Sequence, residues 1–64
     1  MRGTVTEFDF DRGLGTITTE SGETYPFHCV AIADGTRSIE VGAPVQFDVL
    51  LKLGRREAGR IEPS

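Results

Sequence analysis

The sequence predicts an all-β fold, a five-stranded antiparallel Greek-key barrel of the OB type. Three observations predict it. Eight glycines punctuate short β-prone runs at fairly even spacing along 64 residues. No segment sustains the periodicity of an amphipathic helix, and apolar residues alternate with polar ones along several of the runs. A chain this short lies near the lower limit for folding around its own core, so residues 1–64 are read as one domain. It has no room for an enzyme cleft on top of a scaffold. A binding surface on a minimal barrel is the expectation.

The first strand is placed at Arg2–Phe8 and turns at Asp11-Arg12-Gly13, where glycine supplies a positive φ. The second runs Leu14–Thr19, with Gly15 and Ile17 on one face and Leu14, Thr16 and Thr18 on the other. Glu20-Ser21-Gly22-Glu23 turns into the third, Thr24–Cys29, which buries Tyr25 and Phe27 and leaves Pro26 and His28 outside. A longer crossing from Ala31 to Gly42 carries turn signals at Asp34-Gly35 and Val41-Gly42, with one helical turn near Val30–Ala33. The fourth strand, Val45–Leu51, points Val45, Phe47 and Val49 inward, and Glu57–Ile61 is the fifth. Val5, Phe8, Ile17, Tyr25, Phe27, Ile32, Val45, Phe47, Val49 and Ile61 form the predicted core, Phe8 against the alternation that Val5 sets. Proline donates no ladder bond, so the nitrogen of Pro26 is expected to point away from the second strand.

Composition narrows the function. A net charge of −3 and a pI near 4.9 argue against gripping phosphates by bulk positive charge. The charges are also uneven: Glu7, Asp9 and Asp11 crowd the first strand and its turn, while Arg55, Arg56 and Arg60 gather near the C-terminus. Cys29 is the only cysteine, which rules out an internal disulfide. No apolar run approaches the roughly 18 residues of a membrane span and no signal peptide is evident, so a cytoplasmic protein with no membrane partner is expected. Asp9, Asp11 and Glu20 imitate a calcium loop, yet Gly13 comes one residue early and Leu14 takes its place. One histidine and one cysteine make neither a zinc cluster nor a nucleophile–base pair. Neither metal, cofactor nor catalysis is expected.

Two segments carry more information than the rest. Arg12-Gly13-Leu14-Gly15-Thr16-Ile17-Thr18 and Tyr25-Pro26-Phe27-His28-Cys29 resemble the paired ribonucleoprotein motifs of the bacterial cold-shock domain family, which read approximately K-G-F-G-F-I-T and V-F-V-H-F. Gly3-Thr4-Val5, Phe8, Ala31-Ile32, Gly35, Gly42, Val45, Phe47 and Ala58 to Ile61 extend the resemblance over nearly the whole chain, with one residue deleted near Ala33-Asp34. The resemblance implies an OB-type barrel that binds single-stranded RNA or DNA by stacking bases on aromatic side chains. The departures fall on those side chains. Glu7 stands where the family has tryptophan, Leu14, Thr16, Pro26 and Cys29 where it has phenylalanines, and Thr36 where it has a loop aromatic. Thr6 replaces a lysine and Asp9 an asparagine. Stacking contributes roughly 1–3 kcal/mol per base, so losing these aromatics removes on the order of 6–18 kcal/mol if the losses add. Half the upper figure exceeds the roughly 8 kcal/mol of a micromolar complex.

What the residues retain supports two readings. The first is weak contact with single-stranded nucleic acid through Phe8, Arg12, Leu14, Thr16, His28, Arg55, Arg56 and Arg60. Each has a plainer alternative: Phe8 as core, His28 as an inherited surface residue, Arg12 as a solvated turn, and the arginines as charges that keep an edge strand soluble. The second is a protein-interaction module, or a homodimer, using Phe10, Leu14, Pro26, Cys29 and Val30 as a modest apolar patch rimmed by Glu7, Asp9 and Asp11.

Overall fold

Three short strands form a meander: β1 (Arg2–Asp9), β2 (Leu14–Thr18) and β3 (Thr24–His28). A single 3₁₀ turn over Cys29–Ala31 leaves β3, and β4 (Pro44–Lys52) and β5 (Arg55–Pro63) make a longer hairpin. The computed structural model describes residues 1–33 and 39–64, so the expected turn at Asp34-Gly35, and Thr36 with it, lies outside the described residues. Every strand pair is antiparallel, in the order β3-β2-β1-β4-β5. The five expected strands are therefore present in one sheet. Its edges, β3 and β5, touch without sharing a ladder, so the sheet curls around the core and is not closed by hydrogen bonds into a barrel. The chain after the 3₁₀ turn covers part of that seam. Ile32 bridges Ile61, and the Ala33 N–H donates to the Ile61 carbonyl at 2.8 Å. No helix of the described residues is long and apolar enough to cross a membrane.

The core is Val5, Ile17, Tyr25, Phe27, Ile32, Val45, Phe47, Ala58 and Ile61. Rows of paired residues explain it, because directly opposed side chains share a face. Val5, Ile17 and Tyr25 make one inner row, and Phe8, Gly15 and Phe27 make the next. Phe8 and Val5 both face inward because the β1–β2 register shifts between Val5 and Glu7, leaving Thr6 as an extra residue. The Phe8 and Phe27 rings then stack across Gly15, 6.0 Å apart and 9° from parallel. A β-carbon on Gly15 would lie 2.7 Å from Phe27 Cε1 and 2.8 Å from the Glu7 carbonyl oxygen, so that row has room only for glycine. Phe8 itself is half-buried at the margin of the core.

The β4–β5 hairpin departs from expectation. Val49 is 39% exposed and lies outside the core. The cause is a second bulge. Gln46 pairs with Glu62 and Asp48 with Gly59, so Phe47 alone faces both Arg60 and Ile61, with Arg60 at φ 48°. Such an insertion bends and twists the ribbon. Beyond it, Asp48 to Lys52 are all exposed. The small side chain of Ala58 is buried there in place of Val49, which the alternation did not foresee. β5 also ends two residues later than expected, where Pro63 pairs with Val45, and begins two earlier, because Leu53 and Gly54, at φ 49° and 78°, form a two-residue turn with both φ values positive. That is the hairpin geometry that matches strand twist, so pairing continues to Lys52–Arg55.

The expectation for Pro26 is met. Cys29 N–H donates to the Gly13 carbonyl at 2.7 Å, and Thr19 N–H to the Glu23 carbonyl at 2.8 Å. These bonds fix the phase of the β2–β3 ladder, in which hydrogen-bonded and non-bonded pairs alternate. Thr16 and Pro26 are a non-bonded pair, which turns the Pro26 nitrogen to the outer side of the edge strand β3.

Candidate nucleic-acid interface

The same registers that build the core place two rows on the opposite face of β1–β3. Glu7, Thr16 and Pro26 form one row, and Asp9, Leu14 and His28 form the next. All six side chains line one open groove. Arg12 joins it from the first hairpin turn, and Arg55 and Glu57 join it from β5. The groove therefore carries Arg12 and Arg55 against Glu7, Asp9 and Glu57, which leaves its formal charge mixed rather than basic.

Local structure fixes several of these groups. The Asp9 carboxylate accepts the Arg12 N–H at 3.2 Å, and its main-chain carbonyl accepts the Gly13 N–H at 2.8 Å. Asp9 thus shapes the first turn, a role that a reading of its charge alone does not reveal. It also lies 3.8 Å from Arg12 Nε, an exposed pair of little energetic weight that still draws the guanidinium toward the groove. Along the far row, Thr6 and Thr18 share a hydroxyl–hydroxyl bond of 2.9 Å, closing that end with small polar groups. Leu14 is 40% exposed, and Pro26 beside it is exposed too. Together they give the groove a short apolar floor.

The sequence-predicted residues are brought together in part. Phe8, Arg12, Leu14, Thr16, His28 and Arg55 all reach this groove, Phe8 from the inner row. Arg56 follows Arg55 in a strand and so points to the other face. Arg60 lines a neighbouring groove with His28, Val30, Leu50 and Lys52. The three arginines therefore do not form one edge. Lys52 is a cation that sequence reasoning missed. Its signal is the pairing with Arg55 across the Leu53-Gly54 turn, visible only once that turn is known. Of the apolar candidates, Leu14 and Pro26 share the main groove and Val30 lies in the next. Phe10 stands exposed on the first turn, and Cys29 is half-buried, packed against Gly13 and the core. Among the described residues no group of three His, Cys, Asp or Glu side chains gathers as metal ligands.

Comparison with known proteins bears on what such a face contacts. The model of the family described as the 'Cold-shock' DNA-binding domain matches residues 1–64. The chain is 39% identical over 51 residues to Cold shock-like protein CspC of Bacillus cereus, an alignment that covers 78% of each chain. Its fold is similar to the solved structure of drosophila Unr CSD456, with a TM-score of 0.80 and 26% identity over 98% of this chain. The chain spans 26% of that longer protein.

Proposed function

The chain belongs to the cold-shock DNA-binding domain family, and on that premise we propose that it is a non-catalytic module making weak contact with single-stranded RNA or DNA through the outer face of β1–β3. The observation that carries the reading is the composition of the two outer rows. The rows set Glu7, Thr16 and Pro26 beside Asp9, Leu14 and His28 along one open groove, and of these only His28 offers a π-face. Stacking, worth roughly 1–3 kcal/mol per base, is reduced to that ring and to Phe8, half-buried at the groove. Phosphates are left to Arg12 and Arg55 at the groove and to Lys52 and Arg60 in the groove beyond His28.

The salt dependence of binding tests this. A labelled single strand of mixed sequence is titrated at low salt and again at higher salt. Two phosphate contacts on a single strand give a slope of log K against log salt of roughly −1.4, and four give about −2.8. Affinity weaker than micromolar with such a slope is expected, and Arg12→Ala combined with Arg55→Ala flattens it. Micromolar binding that ignores salt would show that stacking survives. No binding even at low salt would reject the nucleic-acid reading.

A further inference from the structure

We propose that this face prefers guanine to the other bases, and that Glu7 is the residue that selects it. The inference rests on the nucleic-acid reading above and adds a base preference to it. Glu7 stands directly opposite Thr16, which stands opposite Pro26, so its carboxylate lies in the outer row that a base edge would meet. The neighbouring acid, Asp9, is occupied by the Arg12 N–H and the Arg12 guanidinium. Among the described residues, the Glu7 carboxylate has neither a hydrogen-bond nor a salt-bridge partner. Leu14 and Pro26 supply an apolar floor for the plane of a base, and Arg12 and Arg55 supply cations for the flanking phosphates. Glu7 is therefore a free acceptor within the outer rows of β1–β3, the groove's other unpaired carboxylate among the described residues, Glu57, coming from β5.

Hydrogen-bond chemistry ranks the bases against such an acceptor. A carboxylate presents two oxygens that accept and nothing that donates. Guanine offers its ring N1–H and its 2-amino group side by side, so both oxygens are satisfied at once. Cytosine and adenine each offer one amino donor beside a ring nitrogen that also accepts, which gives one bond and one repulsive contact. Uracil and thymine place a single N–H between two carbonyl oxygens, the least favourable edge of the set. Single-stranded recognition reads these Watson–Crick edges, because the bases are free to splay out. The order expected is guanine first, cytosine and adenine next, and uracil or thymine last.

Uridine pentamers carrying guanine, inosine or uracil at the centre test the proposal by titration into the intact isotope-labelled chain, read from backbone amide shifts. This measurement works at weak affinity and shows directly whether the protein stays folded. A bidentate pair predicts that the guanine pentamer binds about five- to 150-fold more tightly than the uracil one. Inosine, which keeps N1–H and lacks the 2-amino group, loses most of that advantage. Glu7→Gln, at an exposed position, brings guanine and uracil within about twofold of each other. Equal binding of guanine and uracil by the parent chain, or a guanine preference that survives Glu7→Gln, overturns the proposal while leaving nucleic-acid contact in place. Absence of shifts on the β1–β3 face with every pentamer overturns both.

Discussion

Along β3 the side chains alternate without interruption: Tyr25 and Phe27 are buried, while Thr24, Pro26 and His28 are exposed. Along β4 the same pattern holds for Val45 and Phe47 and then stops, with five exposed residues in succession. The two strands have similar β-prone sequences, so intrinsic preference does not explain the difference. β3 is locked to β2 through five consecutive pairs with no shift of register. β4 meets a bulge opposite Phe47, and the ribbon beyond it has little core to cover. Alternation in sequence assigns residues to two faces; what lies over each face decides which one is buried.

Truncation at the core of the regular half should have the largest effect. Phe27→Ala removes a ring that stacks on Phe8 and fills the space over Gly15, and should cost about 3–5 kcal/mol. A domain of this size holds little more than that in reserve, so its thermal transition by circular dichroism should fall sharply or vanish. An unchanged midpoint would contradict the inward placement of β3.

The outer rows of the same half offer a gain of function. Glu7→Trp, Leu14→Phe and Thr16→Phe together place three π-surfaces on positions that pair directly or lie one row apart. At the low end of stacking energies, pyrimidine-rich single strands should bind about a hundredfold more tightly, with the added affinity insensitive to salt. A folded triple variant that binds no better than the parent would remove these rows from the interface.

The irregular half should respond in the opposite sense. Leu53 is fully exposed and sits in the left-handed region at φ 49°, a conformation that asparagine tolerates far better than a bulky side chain. Leu53→Asn should raise stability by about 1 kcal/mol, equivalent to several degrees in melting temperature. A loss of stability would mean that the leucine has a partner in the folded chain. Val49→Thr, beyond the bulge, should stay within about 0.5 kcal/mol of the parent, and a cost of core size would place Val49 inside.

Much of this was legible before any coordinates. The outer rows followed from period-two reading of β2 and β3, and the inner ones from the same count, because the two turns set the register of all three strands. The inward turn of both Val5 and Phe8 was visible as a broken alternation, although the bulge at Thr6 that produces it has no marker residue. The burial of Ala58 and the exposure of Val49 share one origin, the left-handed conformation of Arg60, an arginine where no sequence rule calls for it. Leu53-Gly54 lacks the asparagine or aspartate that usually announces such a turn, so nothing in the sequence marks the start of β5 at Arg55. The convergence of Arg55 on the β1–β3 face, and of Arg60 with Lys52 beside His28, depends on how the sheet curls. Pairwise local signals do not encode that curl.

The orientation of Pro26 has a consequence for the molecule among its copies. An edge strand presents a row of free donors and acceptors on which a second strand can zip, the route by which small β proteins assemble into fibrils. β3 is one of the sheet's two edges, its outer side turned to β5 without a shared ladder, and the position at its centre where a donor would sit has none. A strand that displaced β5 from this seam would meet the gap midway along a five-residue edge. The proline that takes the place of a stacking ring on the face also guards the rim.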